Sequence, residues 1–317
     1  MVAPGRGGEF PHRHLLGIEP LSREDILRVL DEAERLSSAP EPDRLRGRLV
    51  VTLFFEPSTR TRVSFEVAAR RLGAEVIAWT AAGGSVEKGE TLLDTAKNLE
   101  AMRPDALVLR HPCSGAAQLV AAQVRSAVIN AGDGAHEHPS QALLDAFTLR
   151  RHWGSFEGRT VAIVGDIAHS RVARSDAFCL SRLGARVRLA GPPALLPPGL
   201  DRLGEPGRVS AHARLDEALA GADAVVMLRV QFERLAPEVS PFPSLREYAR
   251  LFGLSAEAAA ALAPQALVLH PGPINRGVEL ASAVADGPRS VILEQVENGV
   301  AVRMALLALL AGRNAHG

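Results

Sequence analysis

Lysine is almost missing from this chain. Of its 36 basic residues only Lys88 and Lys97 are lysine, and the rest are arginine. The arginines are dispersed among an equal number of acidic residues, 36 against 36, so no net field draws the chain toward nucleic acid or an anionic membrane. The arginine excess therefore reads as genome base composition. Cysteine is as scarce: Cys113 and Cys179 cannot build a disulfide framework or a Cys-rich zinc site. Both fall in or just before apolar, helix-like stretches, which predicts two buried structural thiols. No run approaches the roughly 18 apolar residues that a membrane span needs. The opening "MVAPGRGGEFPHRH" lacks the apolar core of a signal peptide, so a cytoplasmic location is expected. Short repeats and low-complexity tracts are absent too.

What is present is a rhythm of apolar runs. At 317 residues the chain has room for two domains of roughly 100–200 residues each. "SREDILRVLDEAERL" predicts a helix with Ser22 as its N-cap and apolar residues at helical spacing. "RLVVTLFFE" (48–56) is a continuous apolar run of strand length, as in a strand buried on both faces. "AEVIAW", "DALVLRH" and "SAVINAG" repeat it, with helical segments between, and a second series runs through "RTVAIVGD", "ARVRLAG", "ADAVVMLRV" and "QALVLHPG". Such alternation means βαβ units on parallel sheets. The expectation is an α/β fold of two doubly wound, Rossmann-like domains joined by two interdomain helices. One helix lies in 138–154; the other is the last segment, 289–312, read as a long amphipathic helix. The domains are drawn as 1–147, with 290–317 packing back on it, and 148–289.

Four stretches carry chemistry. In "FFEPSTRTRVSFE" (54–66) a buried strand ends, Pro57 breaks it, and Ser58, Thr59, Arg60 and Thr61 open a helix. An ordinary N-cap needs one hydroxyl. Three hydroxyls and two arginines in five positions point to a phosphate-sized anion on free N–H groups at a helix N-terminus. In "VLRHP" (108–112) Arg110 leaves another strand end, as a second cation for that anion or as half of a structural salt bridge. In "GDGAHEHPSQALLD" (132–145) His138 can donate to a carbonyl oxygen and Gln141, one turn on, can accept from an amino group; His136, in the loop, competes with His138 and is expected to be solvated. The second series supplies Arg171 from "VGDIAHSRVARS", Arg229 and Gln231 from "MLRVQFER", and a rigid Pro271-Gly272-Pro273 turn from "HPGPINRG". Paired arginines suit a dicarboxylate, because each guanidinium takes a carboxylate bidentately. "GD" after "VAIV" is not GxGxxG, so the nicotinamide reading loses its glycines. Lys88 sits in the glycine-rich loop "AAGGSVEKGETLLDT" (81–95), where chance placement would also suffice.

These stretches, with "SVEKGETLLDT", occur in the order and spacing of the aspartate/ornithine carbamoyltransferases, and the resemblance covers about residues 12 to 312. Within that family the chain looks like the aspartate branch, in its bacterial catalytic chains. The ornithine branch typically carries an HCLP stretch and an SMG loop, whereas this chain has "HPGP" and no SMG. Two arginines would also repel a cationic amine substrate. The resemblance implies transfer of the carbamoyl group of carbamoyl phosphate to L-aspartate, an early step of pyrimidine synthesis; another amine is the alternative.

It further implies that Ser58, Thr59, Arg60, Thr61 and Arg110 hold the phosphate, with Ser85 as a further ligand. Thr61, Arg110 and His138 would polarise the carbonyl, and Gln141 with Pro271 and Gly272 would hold the amide. Lys88, Arg171, Arg229 and Gln231 would take aspartate. Arg60, Thr61, Lys88, Arg110 and His138 are the implied catalytic set, with no metal and no organic cofactor. A homotrimer with shared active sites is implied, Lys88 reaching a neighbouring subunit; some branches add a dihydroorotase or regulatory chain. Two departures stand out. Gly84-Ser85 replaces a pair of small hydroxyl residues, which puts Ser85 in doubt, and "HPGP" replaces HPLP, which leaves that contact to backbone.

Overall fold

The computed structural model describes residues 10–80, 90–229 and 244–312. Contacts divide the chain into two compact units. One holds Leu21–Asp133 with the segments up to Leu16 and from Val300; the other holds Gly134–Gly299 with Gly17–Pro20.

The first unit is built on four parallel strands, β1 (Leu49–Phe54), β2 (Glu75–Thr80), β3 (Ala106–His111) and β4 (Ala127–Asp133), ordered β2-β1-β3-β4. Its helices are α1 (Arg23–Ser38), α2 (Thr59–Arg71), α3 (Leu92–Glu100) and α4 (Ala116–Ala121). Ser22 caps α1 in a full capping box with Asp25. β1, β3 and β4 are buried along nearly their whole length, and Val51, Leu53, Leu107, Leu109 and Val128 form one core cluster, whereas the edge strand β2 leaves Ile77 exposed. Phe65 of α2 is fully buried and lies 5.1 Å beneath the Arg303 guanidinium.

The second unit carries five parallel strands, β5 (Thr160–Val164), β6 (Arg186–Ala190), β7 (Val209–His212), β8 (Ala224–Met227) and β9 (Leu267–Leu269), ordered β7-β6-β5-β8-β9. Around them run α5 (Pro139–Trp153), α6 (Arg171–Leu183), α7 (Leu215–Leu219), α8 (Leu245–Phe252) and α9 (Ser282–Ala285). α10 (Ile292–Leu310) belongs to the second unit up to Gly299 and to the first from Val300. The core packs Val164, Val225, Met227 and Val268 with Tyr248 and Phe252.

Both sheets use one clamp. Arg48 Nη1 meets Asp105 Oδ1 at 2.7 Å while the Leu49 N–H donates to Asp105 Oδ2 at 2.8 Å. Arg159 Nη1 meets Asp223 Oδ1 at 2.9 Å while the Thr160 N–H donates to Asp223 Oδ2 at 2.8 Å. Each clamp ties the beginnings of the two strands where the sheet order reverses, β1/β3 and β5/β8. The opposite ends of those strands are where open α/β sheets collect ligands.

Two expectations need correction. Cys179 is buried but Cys113 is exposed: it sits in a turn after β3, where its N–H donates to the His111 Nδ1 at 3.0 Å, and α4 starts only at Ala116. The last helix is one-sided only at its beginning. Leu293 is exposed, whereas nearly every residue from Ala301 to Ala311 is buried, so an all-round apolar pattern replaces an amphipathic one.

Candidate functional site

In the first unit the residues read from sequence as an anion site lie at the reversal point of the sheet. α2 starts at Thr59 directly after β1, and Ser58 takes the N-cap position without spending its side chain on a cap hydrogen bond. The first-turn N–H groups of a helix have no intrahelical acceptor, and the helix dipole adds positive potential there. Thr61 is 7% exposed and faces inward; Arg60 is exposed overall, but protein crowds its guanidinium, and desolvation pulls its pKa below the ordinary arginine value. A cation desolvated in this way, with no carboxylate partner among the described residues, favours an incoming anion.

Arg110 is the penultimate residue of the neighbouring strand. It pairs with Phe54 in register, and the Phe55 N–H donates to its carbonyl. Its Nε lies 2.9 Å from Glu56 Oε1, and its Nη1 donates to the Ala131 carbonyl at 3.3 Å. The salt-bridge reading is realised in the pair with Glu56, and Arg110 also stands near the strand end beside the hydroxyl-rich turn. The sequence alone suggests no role for Glu56. The signal for it was one acid directly before the Pro57 break.

In the second unit three groups leave adjacent strand ends. The loop after β5 carries Asp166, whose carboxylate accepts from the His169 N–H, and it leads into α6, where Arg171 is the first residue and 5% exposed. Arg229 follows β8, the strand paired with β5. Gly165 sits between them with φ of 147°, and a Cβ there would lie 2.8 Å from that of Leu228, so only glycine permits this approach. After β9 comes His270-Pro271-Gly272. The Gly272 N–H donates to the His270 Nδ1 at 2.7 Å, which puts the ring proton on Nε2, 3.2 Å from Glu279 Oε1. This buried pair holds the turn that the sequence identified only as rigid.

α5 supplies His138 and Gln141. Pro139 occupies its first turn, and the His138 N–H donates to the Ser175 Oγ at 2.8 Å. Ser175 in turn donates to Glu137 Oε2, which also accepts from the Ile18 N–H at 2.7 Å. Burial pushes the Glu137 carboxyl above the usual glutamate value. His138 is 5% exposed, whereas His136 is half-buried rather than solvated. Gln141 Nε2 donates to Asp145 Oδ1 at 3.0 Å, and Gln295 Nε2 donates to the same oxygen at 2.6 Å. Asp145, Gln295 and Asp176 were not singled out from sequence; a polar residue on an otherwise buried helix face was their only mark.

Ser58, Thr59, Arg60, Thr61 and Arg110 are therefore gathered at one strand-end cluster, and His138, Gln141, Arg171, Arg229, Pro271 and Gly272 belong to the second unit. Ser85, Lys88 and Gln231 lie outside the described residues. Among the described residues no group of three or more His, Cys, Asp or Glu side chains is arranged to hold a metal, and no helix is long and apolar enough to cross a membrane.

Comparison with known proteins agrees with this layout. Residues 13–151 match the carbamoyl-phosphate binding domain of the aspartate/ornithine carbamoyltransferases, and residues 157–310 match their aspartate/ornithine binding domain. The aspartate carbamoyltransferase catalytic subunit of Myxococcus xanthus is 62% identical over 297 residues, covering 93% of this chain and 98% of that protein. The crystal structure of aspartate transcarbamoylase from Trypanosoma cruzi, in complex with aspartate and phosphate, superposes with a TM-score of 0.81 at 31% identity, over 94% of this chain and 95% of that one. Ornithine carbamoyltransferase from Thermus thermophilus gives 0.84 at 28% identity, over 94% and 99%. The backbone alone thus does not separate the two branches, while the sequence relatives do. The chain belongs to the aspartate/ornithine carbamoyltransferase family.

Proposed function

We propose that the chain transfers the carbamoyl group of carbamoyl phosphate to the amine of L-aspartate, giving N-carbamoyl-L-aspartate and phosphate, a step that feeds pyrimidine synthesis. The observation that carries the choice of amine is the arginine pair at adjacent strand ends, Arg171 on α6 and Arg229 after β8. Two guanidinium groups suit a dicarboxylate and would repel the ammonium of ornithine.

In this reading residues 1–147, with the segment 290–317, form the carbamoyl-phosphate domain and 148–289 the aspartate domain. Ser58, Thr59, Arg60, Thr61 and Arg110 hold the phosphate, with Ser85 as a further ligand. Thr61, Arg110 and His138 donate to the carbonyl oxygen. These donors gain strength as negative charge develops there, and one such donor is commonly worth about 3–4 kcal/mol in the transition state. Gln141 and the backbone at Pro271 and Gly272 hold the carbamoyl amine, while Arg171, Arg229, Gln231 and Lys88 take the aspartate carboxylates. The aspartate amine attacks the carbonyl carbon, and the tetrahedral adduct expels phosphate with the amine's proton. Positioning and electrostatics supply most of the acceleration, since phosphate is already a good leaving group. A homotrimer in which Lys88 serves a neighbouring subunit's site completes the proposal.

The test is product identity. With carbamoyl phosphate and each amino acid in turn, carbamoyl-aspartate should form and citrulline should not. Faster citrulline formation would move the chain to the other branch.

A further inference from the structure

β9 ends at Leu269, and the chain then leaves the core through the turn 270–275, in which residues 271 to 275 are half-buried or exposed. The two side chains that support this turn, His270 and Glu279, are fully buried. Glu279 is itself fixed on the core. Its carbonyl accepts from the Leu254 N–H at 2.9 Å, and Leu280 after it packs in the apolar cluster of the second unit.

One oxygen serves both ends of the turn. At the entry His270 Nε2 donates to Glu279 Oε1 at 3.2 Å, and at the exit the Asn275 N–H donates to the same atom at 2.5 Å. Between them the Gly272 N–H donates to the His270 Nδ1 at 2.7 Å, and the His270 N–H donates to Gln295 Oε1 at 2.9 Å. Pro271 and Pro273 have no N–H to offer. The N–H groups of His270, Gly272 and Asn275 are thus all taken by protein acceptors. The carbonyls differ: among the described residues no donor reaches that of Pro271 or Gly272. A turn with its donors tied and these acceptors open suits an incoming amino group. Gly272, at φ of 64°, is the residue that most needs holding, because glycine has more backbone freedom to lose than any other.

We propose that Glu279 is a positioning residue for carbamoyl recognition: through His270 and Asn275 it holds the Pro271 and Gly272 carbonyls in place for the substrate's amino group. This inference rests on the role proposed above for Pro271 and Gly272. Both links converge on one atom, so moving that atom by one methylene releases the two ends of the turn together. Reach matters here and charge does not. An amide oxygen has two lone pairs and can accept both donors. Glu279 Oε2 has no hydrogen-bond partner among the described residues, so an NH2 group in its place breaks no bond.

The experiment compares carbamoyl phosphate with acetyl phosphate, which carries a methyl where the substrate has its amino group. It uses the full chain and the variants Glu279→Gln and Glu279→Asp. Initial rates at saturating aspartate give the KM for carbamoyl phosphate and the inhibition constant of acetyl phosphate against it. The parent should prefer carbamoyl phosphate at least about tenfold, because a methyl leaves the turn's acceptors unpaired. Glu279→Gln keeps the oxygen and its reach, and should hold that preference within about threefold. Glu279→Asp keeps the charge and loses the reach. It should raise the KM for carbamoyl phosphate about tenfold or more and leave the acetyl phosphate constant within about twofold. Inorganic phosphate, titrated by calorimetry, should bind both variants as it binds the parent, because the ligands assigned to it lie in the first unit.

A merely structural role predicts another pattern, in which Glu279→Asp weakens phosphate, acetyl phosphate and carbamoyl phosphate alike. That pattern overturns the proposal. So does a Glu279→Asp variant that keeps the parent's preference, or a Glu279→Gln variant that loses it. A parent protein with no preference between the two acyl phosphates refutes instead the assignment of Pro271 and Gly272 to the amino group, and the positioning role falls with it.

Discussion

Replacing Arg110 by Met should cost far more than one hydrogen bond. Arg110 and Glu56 are 14% and 15% exposed and lie 2.9 Å apart, so the substitution leaves a poorly solvated carboxylate beside the anion site. The lost charge-assisted hydrogen bond contributes about 1.5–3 kcal/mol. An unmasked Glu56 adds repulsion: at roughly 6 Å and an effective dielectric of about 20, a unit charge costs about 3 kcal/mol. Together these predict a fall in kcat/KM for carbamoyl phosphate of about 10³–10⁴. The double variant E56Q/R110M removes the second contribution and should recover about a hundredfold. Initial rates at low carbamoyl phosphate and saturating aspartate read both effects, and titration calorimetry with inorganic phosphate reads the binding part alone. A double variant no faster than R110M would refute the charge-masking role of Glu56. An R110M enzyme within tenfold of the parent would refute the assignment of Arg110 to the anion.

Arg229→Ala should raise the KM for aspartate by about a hundredfold while leaving carbamoyl-phosphate binding, measured without aspartate, within about threefold. Lys88→Arg should be severely impaired although the charge is kept, because a compact ammonium and a planar guanidinium make different contacts; steady-state rates decide this. Mixed oligomers of inactive Lys88→Ala and His138→Ala subunits should regain activity if the loop serves a neighbour, and no recovery would confine it to its own subunit. Phe65→Ala should destabilise the protein by about 3–5 kcal/mol, seen as a lower urea midpoint, since the ring is fully buried beneath Arg303.

The fold was legible because its strands are short apolar runs with few alternative uses. "TVAIV" and "AVVM" became β5 and β8 since both faces of each are covered. The hydroxyl-rich helix start was legible for a local reason, as three hydroxyls and two arginines follow the Pro57 break. What escaped depends on contacts between residues far apart in the chain. Asp105 and Asp223 look like ordinary turn acids until the beginnings of two strands meet on them. Asp176 lies on a helix that also carries Arg174 and Arg182, so its side chain could have faced water; only the packing of the folded unit buries it. Cys113 failed in the opposite direction, because "HPCSG" forms a turn and leaves an apolar-looking residue outside.

The Gln295–Asp145 hydrogen bond spans 150 residues of sequence. Loop closure of that length is slow to be rewarded, because none of the intervening pairings depends on it. During synthesis at roughly 5–20 residues per second, β1 to β9 are complete before α10 can leave the ribosome. The nascent chain therefore carries its hydroxyl-rich turn, its strand-end arginines and Gln141 before Asp145 gains the second of its two amide donors, and the buried Gln141–Asp145–Gln295 arrangement is completed only by α10.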